Sequence, residues 1–416
     1  MFGRILVAMV LLGASTALVW QVFFNMEPDA GPKPIEVPST AEGQPYAPRD
    51  WNTEHAGKLN ISVYTFRDVN RNGIYDVGDL PMAGIVVDMT KPDGELHRAK
   101  SNVNGYANFK MSLSDDQQPV TQPRETYQFQ VVAPPDWEVS SANAVQSVHF
   151  LPLAGSVAGL IAQEAPQWVG LMTNLSITGG LVTAKPQPFP PDLQVWLHDP
   201  QGESQELTVR DGQWETPAYP GNWRLLVSSQ TLNWAVERTI VVAHSPVVSL
   251  PLVIGEEPRE ALRQAQVENF DWLLRSTIDK IPNGHGGLDW DYLLAVDNQQ
   301  YGGPGYVNGL VSGHAVAYNS SGHPVTISAP AGSVFDFVGG YFSIAWPAAQ
   351  GELLDVVAWR HGVEVARHAV ELSYLGPVWI DAQLRGIEKL SLSTRHYWQF
   401  VADDLFYQLP AEDTAN

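Results

Sequence analysis

Ile61-Ser62-Val63-Tyr64-Thr65-Phe66-Arg67 runs directly into Asp68-Val69-Asn70-Arg71-Asn72-Gly73-Ile74-Tyr75-Asp76-Val77-Gly78-Asp79, and this stretch decides how the chain is read. Its first half is β-branched or aromatic at most positions with partial period-two alternation, the pattern of a half-buried strand. Its second half places oxygen-bearing side chains at loop positions 1, 3, 5, 9 and 12, with glycine at position 6. A calcium ion takes roughly six to eight oxygen ligands, and alternating Asp and Asn on a curled backbone supply them while the glycine permits the sharp turn. The spacing therefore marks Asp68, Asn70, Asn72, the carbonyl of Ile74, Asp76 and Asp79 as calcium ligands. Asp79 stands where the helix-flanked form of such a loop ends on glutamate, and its shorter side chain makes a weaker closing ligand. The competing reading is an Asn72-Gly73 hairpin decorated with acidic residues.

Outward from the loop, Gly84-Ile85-Val86-Val87-Asp88-Met89 and Tyr127-Gln128-Phe129-Gln130-Val131-Val132 repeat the strand pattern, with Asp93-Gly94 and Asn104-Gly105 as tight turns between strands. Residues 58–172 thus form a first β-sandwich. Residues 173–255 repeat the grammar in a second small sandwich, in which Trp196, Trp214 and Trp223 are core residues rather than sugar platforms. A helical connector is expected over 256–268, where helix formers fill Glu256 to Val267. Residues 269–416 return to strands, among them Tyr341-Phe342-Ser343-Ile344-Ala345-Trp346 and Leu353-Leu354-Asp355-Val356-Val357-Ala358-Trp359, and their number suits a two-sheet jelly roll. The fold class is all-β: tandem sandwiches followed by a jelly roll.

The stretch from Ile61 to Phe109, with Tyr64-Thr65-Phe66-Arg67-Asp68-Val69-Asn70-Arg71-Asn72-Gly73, Asp76-Val77-Gly78-Asp79-Leu80-Pro81-Met82-Ala83-Gly84 and Asn104-Gly105-Tyr106-Ala107-Asn108-Phe109, resembles the B-type repeat of serine-aspartate-repeat surface proteins, which is related to the collagen-adhesin B-type domain. The resemblance implies a transthyretin-like or immunoglobulin-like sandwich stiffened by calcium through Asp68, Asn70, Asn72, Asp76 and Asp79. The chain departs from that family in Asp79 and in carrying one copy instead of a tandem array. Some relatives form Lys–Asn isopeptide cross-links, for which Lys58 is a conceivable donor without an evident partner. The C-terminal unit, through Asn283-Gly284-His285-Gly286-Gly287-Leu288-Asp289-Trp290-Asp291 and Ala402-Asp403-Asp404-Leu405, resembles uncharacterised secreted domains with a galactose-binding-like jelly roll. In such a roll the first and last strands are neighbours, which makes Asp271 and Asp404 candidates for a second calcium site.

An apolar run from Ile5 to Phe24 follows Arg4 and is about 20 residues long, enough to cross a bilayer as a helix. Bulky Trp20, Phe23 and Phe24 occupy the place of a cleavage site, which favours an uncleaved anchor in residues 1–25 over a signal peptide. The basic residue before the run and the absence of one until Lys33 leave the bulk of the chain outside the cytoplasm, in a bacterial periplasm or at a cell surface. Residues 26–57, with prolines at 28, 32, 34, 38, 45 and 48, read as a spacer. With 45 acidic and 24 basic residues the formal net charge is −21, which argues against a nucleic-acid partner. There is no cysteine, and so no thiol chemistry or disulfide.

No His-Glu-x-x-His pair, Gly-x-Ser-x-Gly elbow or phosphate loop is present, so no enzyme is expected. Trp290, Tyr292, Tyr301 and Tyr306, with Tyr318, are candidates for a sugar-stacking surface, and core packing is the alternative. The reading is a membrane-anchored, extracytoplasmic, calcium-binding adhesion module whose ligand is a glycan or a surface protein. Two other readings stay open: a structural component of the envelope, and a glycan hydrolase that would need two facing carboxylates, with Asp289 and Asp291 on one strand face.

Overall fold

The computed structural model describes residues 60–110, 124–152, 160–256 and 265–410. The segment Ile5–Phe24, the proline-rich spacer and Lys58 lie outside the described residues. Among those described, no helix is long and apolar enough to cross a membrane.

The chain is built almost wholly of strands, as its β-branched and aromatic runs require. In the first sandwich, Asn60–Arg67 is central, pairing with Leu80–Pro81, Tyr106–Lys110 and, in parallel, Val169–Thr173, which in turn pairs Trp137–Val139. The other sheet runs Leu96–Lys100, Val86–Thr90, Thr126–Val132, Val145–Pro152, Leu160–Ala162. Alternation decides which side chains face inward: Tyr127, Phe129 and Val131 on Thr126–Val132 are buried and their neighbours are exposed. These three join Ile61, Val63, Val87 and Leu171 in one core.

The second sandwich packs Gln213–Pro217, Ser176–Thr183 and Val247–Ile254 against Ser204–Glu206, Gln194–His198, Gly221–Ser229 and Trp234–Val242. Trp214 and Trp223 are in its core, and Trp196 is half-buried on the same sheet as Trp223. Val247–Ile254 also pairs in parallel with Val378–Ile387. The sheet therefore runs unbroken into the third unit, through Phe335–Ile344, Phe400–Gln408, Ala315–Asn319, Leu293–Asp297 and Ile278–Lys280. The opposing sheet of that unit is Asp289–Asp291, Val325–Ser328, Lys389–Thr394, Leu353–Arg360 and Val363–Glu371, and a single large core lies between the two.

The helical connector needs correcting. Gln266–Glu268 is a strand, antiparallel to Phe400–Gln408 with Val267 opposite Phe406, and 257–264 lie outside the described residues. Helix formers set only a weak preference, and an unpaired edge on the last strand offered Val267 a ladder instead. One short α-helix, Pro304–Asn308, was not expected. It starts at a proline, whose missing N–H is no loss in a first turn, and lies so close to Phe335–Ile344 that a Cβ at Gly305 would stand 1.9 Å from the Ile344 carbonyl oxygen.

Candidate metal centre

The loop Asp68–Asp79 leaves the strand Asn60–Arg67, as its sequence indicated, and enters the two-residue strand Leu80–Pro81. Tyr75 pins its middle to the aromatic cluster beneath, with ring centroids 5.4 Å from Tyr64, 5.1 Å from Phe66 and 5.5 Å from Trp168. Gly73 has φ of +76°, and a Cβ there would meet the Ser140 carbonyl oxygen at 2.9 Å, so the sixth position has room only for glycine.

The polar side chains are turned back onto the loop. Asp68 accepts the N–H groups of Asn72 at 3.1 Å and Gly73 at 2.7 Å. Asn70 and Asn72 each turn an oxygen back onto the loop, accepting N–H from Asn72 at 3.1 Å and Ile74 at 2.7 Å. Their amide nitrogens approach the two oxygens of Asp76, both at 2.8 Å. Asp79 closes the loop by accepting the Val69 N–H at 2.9 Å and the Asp76 N–H at 3.0 Å. Asp68 and Asp79 are buried, and among the described residues no ion pair joins Asp68, Asp76 or Asp79 to a basic side chain. Burial, aided by the charges of Asp68 and Asp76 and opposed by the two backbone N–H groups, pushes Asp79 up to about 6.

All six sequence-derived ligand positions thus sit on one curled loop, and oxygen-only donors of this kind suit a hard cation. The Asn70 and Asn72 amide nitrogens stand in for positive charge at Asp76. Among the described residues no three His, Cys, Asp or Glu side chains are gathered into a group that could hold a metal ion.

Both ends of the loop are held by the third unit, which the sequence did not reveal. Arg67, 5% exposed, donates to the carbonyl of Asn308 at 2.6 Å and to that of Leu310. The Asn308 side chain pairs with the backbone of Ala83 in both directions at 2.9 Å, and Leu80 packs beside Tyr306 and Leu310. Arg71 turns away from the loop, donating to the Thr173 carbonyl at 2.9 Å. It lines a cleft of about 1420 Å³ where the three sandwiches meet, with Trp137, Glu138, Glu215, His368 and Glu371.

Asp271 and Asp404 are brought together, with one correction: Asp271 begins the 3₁₀ turn Asp271–Leu273 after the first strand instead of lying on it. Asp271 accepts the N–H groups of His314 and Ala315, both at 2.8 Å, and Asp404 accepts the Ser312 hydroxyl at 2.8 Å. Burial and the nearby Asp271 charge raise Asp404, although the Ser312 hydrogen bond acts the other way. Its neighbour Asp403 accepts Val311 and Ser312 N–H, and burial with the Asp404 charge raises it well above the carboxylate range.

The aromatic candidates separate. Trp290 and Tyr306 are fully buried and form no stacking surface: strand alternation turns Trp290 inward against Phe270 and Tyr407, and the short helix Pro304–Asn308 presses Tyr306 into a cluster with Val296, Val316 and Tyr318. Tyr318 is buried and bonds to Tyr301 through their hydroxyls at 2.7 Å. Tyr292 and Tyr301 retain 48% and 38% exposure. Two exposed rings the sequence reading passed over, Tyr397 and Trp398, were visible as adjacent aromatics in a turn between strands. Asp289 is tied to the N–H of Gly284 at 2.9 Å.

No family model and no curated protein matches the chain. Among solved structures it is similar to the TIE protein of Bacillus anthracis at 10% identity, over 47% of this chain and 34% of that one, with a TM-score of 0.21. It is similar to GBS52, the minor pilin of Streptococcus agalactiae, at 12% identity over 49% of this chain and 98% of that one, TM-score 0.18. A third match is the M60 catalytic domain with two CBM51 domains of Clostridium perfringens ZmpB, at 9% identity over 88% of this chain and 32% of that one, TM-score 0.22. The chain thus spans about a third of the length of the first and third of these. Likeness at this level carries no functional argument, and the sandwich architecture rests on the strand pairings above.

Proposed function

We propose that the chain is an extracytoplasmic, non-catalytic binding module of a bacterial cell surface whose first sandwich is stiffened by calcium at Asp68–Asp79. The observation that carries this reading is that Asp68, Asn70, Asn72, Asp76 and Asp79 are gathered on one glycine-hinged loop, where among the described residues no direct ion pair reaches the three carboxylates. Asp68, Asn70, Asn72, the Ile74 carbonyl, Asp76 and Asp79 would hold the ion. When bound, calcium supplies charge that offsets carboxylate repulsion and a demand for oxygen ligands that ties the loop.

Arg67 and Leu80 border the loop and are anchored in the third unit, so a stiffer loop stiffens the joint between the first sandwich and the jelly roll. Anything that binds the folded state alone raises its stability by mass action. Thermal unfolding of the full chain is therefore expected to move to higher temperature with added calcium, and less with magnesium, which demands a stricter octahedral geometry. The Asp68→Ala, Asp76→Ala double variant should show no such shift. A wild-type chain indifferent to calcium would remove the reading.

A further inference from the structure

Three loops meet at one end of the jelly roll. Tyr292 links Asp289–Asp291 to Leu293–Asp297, residues 320–324 link Ala315–Asn319 to Val325–Ser328, and residues 395–399 link Lys389–Thr394 to Phe400–Gln408. The pairings Leu293 with Asn319 and Tyr318 with Val401 bring these connections to the same end of the sheet. There, the Tyr292 and His323 rings lie 5.0 Å apart at 33°, and Gly322 faces the Trp398 indole, a Cβ on it standing 3.6 Å from the ring. Tyr292, Tyr397 and Trp398 are 48%, 45% and 48% exposed, so each ring packs in part on the fold and turns the rest to solvent.

Two buried polar side chains are devoted to holding these loops. Glu352, 6% exposed, accepts the N–H groups of Arg395 at 2.9 Å and of His396 and Tyr397, both at 3.1 Å. Asn319, 1% exposed, accepts N–H from Ser321 at 3.1 Å and Gly322 at 3.2 Å, and donates to the His323 carbonyl at 2.8 Å. Tyr292 is held at φ of +64°, with its carbonyl accepting both the N–H and the hydroxyl of Ser320. A bulky residue in that region costs about 1 kcal/mol or more and persists only where its surroundings fix it. The rings are held out, in other words, by preorganised loops.

We propose that this end of the jelly roll is a binding platform for the pyranose rings of a neutral polysaccharide. A pyranose has a face of C–H groups that stacks on an aromatic ring and an edge of hydroxyls that needs hydrogen-bond partners. The platform supplies both, because Ser321, His323 and His396 are exposed in the same loops that carry the rings. A protein partner of ordinary affinity would want a continuous apolar centre instead, and the net charge of −21 disfavours polyanions. This site uses none of the calcium-loop residues and does not rest on the calcium reading.

The test is affinity electrophoresis and calorimetric titration of the full chain with cellohexaose, xylohexaose, mannohexaose and chitohexaose and with the corresponding polysaccharides. The wild type is expected to bind at least one of them saturably. Trp398→Ala and Tyr292→Ala should each weaken that binding about tenfold, the loss of roughly one stacking contact, with thermal unfolding unchanged. Asp68→Ala, Asp76→Ala should leave the rings in place, so failure of the calcium loop would be seen separately. Absence of binding to every glycan, binding that survives both ring variants, or ring-dependent self-association by sedimentation would each overturn the proposal.

Discussion

Arg67 carries more of the architecture than its place beside the loop suggests. Its guanidinium is buried, donates to the Asn308 and Leu310 carbonyls, and lies within the field of Asp403, while burial lowers its pKa to about 10. Replacing it by methionine leaves the Asn308 and Leu310 carbonyls without their donor. Arg67→Met is therefore expected to cost on the order of 3 kcal/mol in urea denaturation. Arg98→Ala, which breaks an exposed pair with Asp88, should leave the midpoint where it was. The sequence marks Arg67 only as the residue before the first ligand, because nothing local tells a buried arginine from a solvated one. The curl of the loop through Asp68, Asn72 and Gly73 is legible for the opposite reason: it follows from the spacing of Asp, Asn and Gly along twelve consecutive residues. Trp290 and Trp398 show the limit between these cases, since both are indoles near strands and only the tertiary fold decides which one is buried.

At the scale of elements, period-two runs such as Tyr127-Gln128-Phe129-Gln130-Val131 translate directly into strands, while short elements held by contacts from elsewhere do not. Gln266–Glu268 is a strand because Phe400–Gln408 had an edge to fill. The helix Pro304–Asn308 exists because Gly305 lets it touch the neighbouring strand, with Gly305 N–H donating to the Ala345 carbonyl at 2.9 Å. Gly305→Ala would put a methyl group into the Ile344 carbonyl and push the helix off the strand, taking Asn308 and its bonds to Ala83 with it. Overpacking of this kind costs about 1–3 kcal/mol. A fall in the thermal midpoint of several degrees is expected, and an unchanged midpoint would show that this contact is not tight.

Across the whole molecule, the three sandwiches are readable one by one, but their joining is not. The parallel pairing of Val247–Ile254 with Val378–Ile387 unites segments far apart in the chain, and neither carries a local sign of it. The joint also contains a titrating group. His244 stacks on Tyr341 at 5.3 Å, and burial, with the charge of Arg67 adding, lowers it to about 4 from its ordinary 6.5. As pH falls below 6.5 the unfolded chain takes up this proton before the folded chain does, so stability declines down to about pH 4 and levels off below it. The difference in unfolding free energy between wild type and His244→Gln should change in that window by up to about 1.4 kcal/mol per pH unit, and a flat difference would place His244 in a solvated setting. The central claim concerns the loop that this joint grips, and calorimetric titration of calcium into the full chain tests it most directly. The account predicts saturable binding that disappears in the Asp68→Ala, Asp76→Ala variant. Heats no greater than dilution in the wild type, or binding that persists undiminished in the variant, would contradict it.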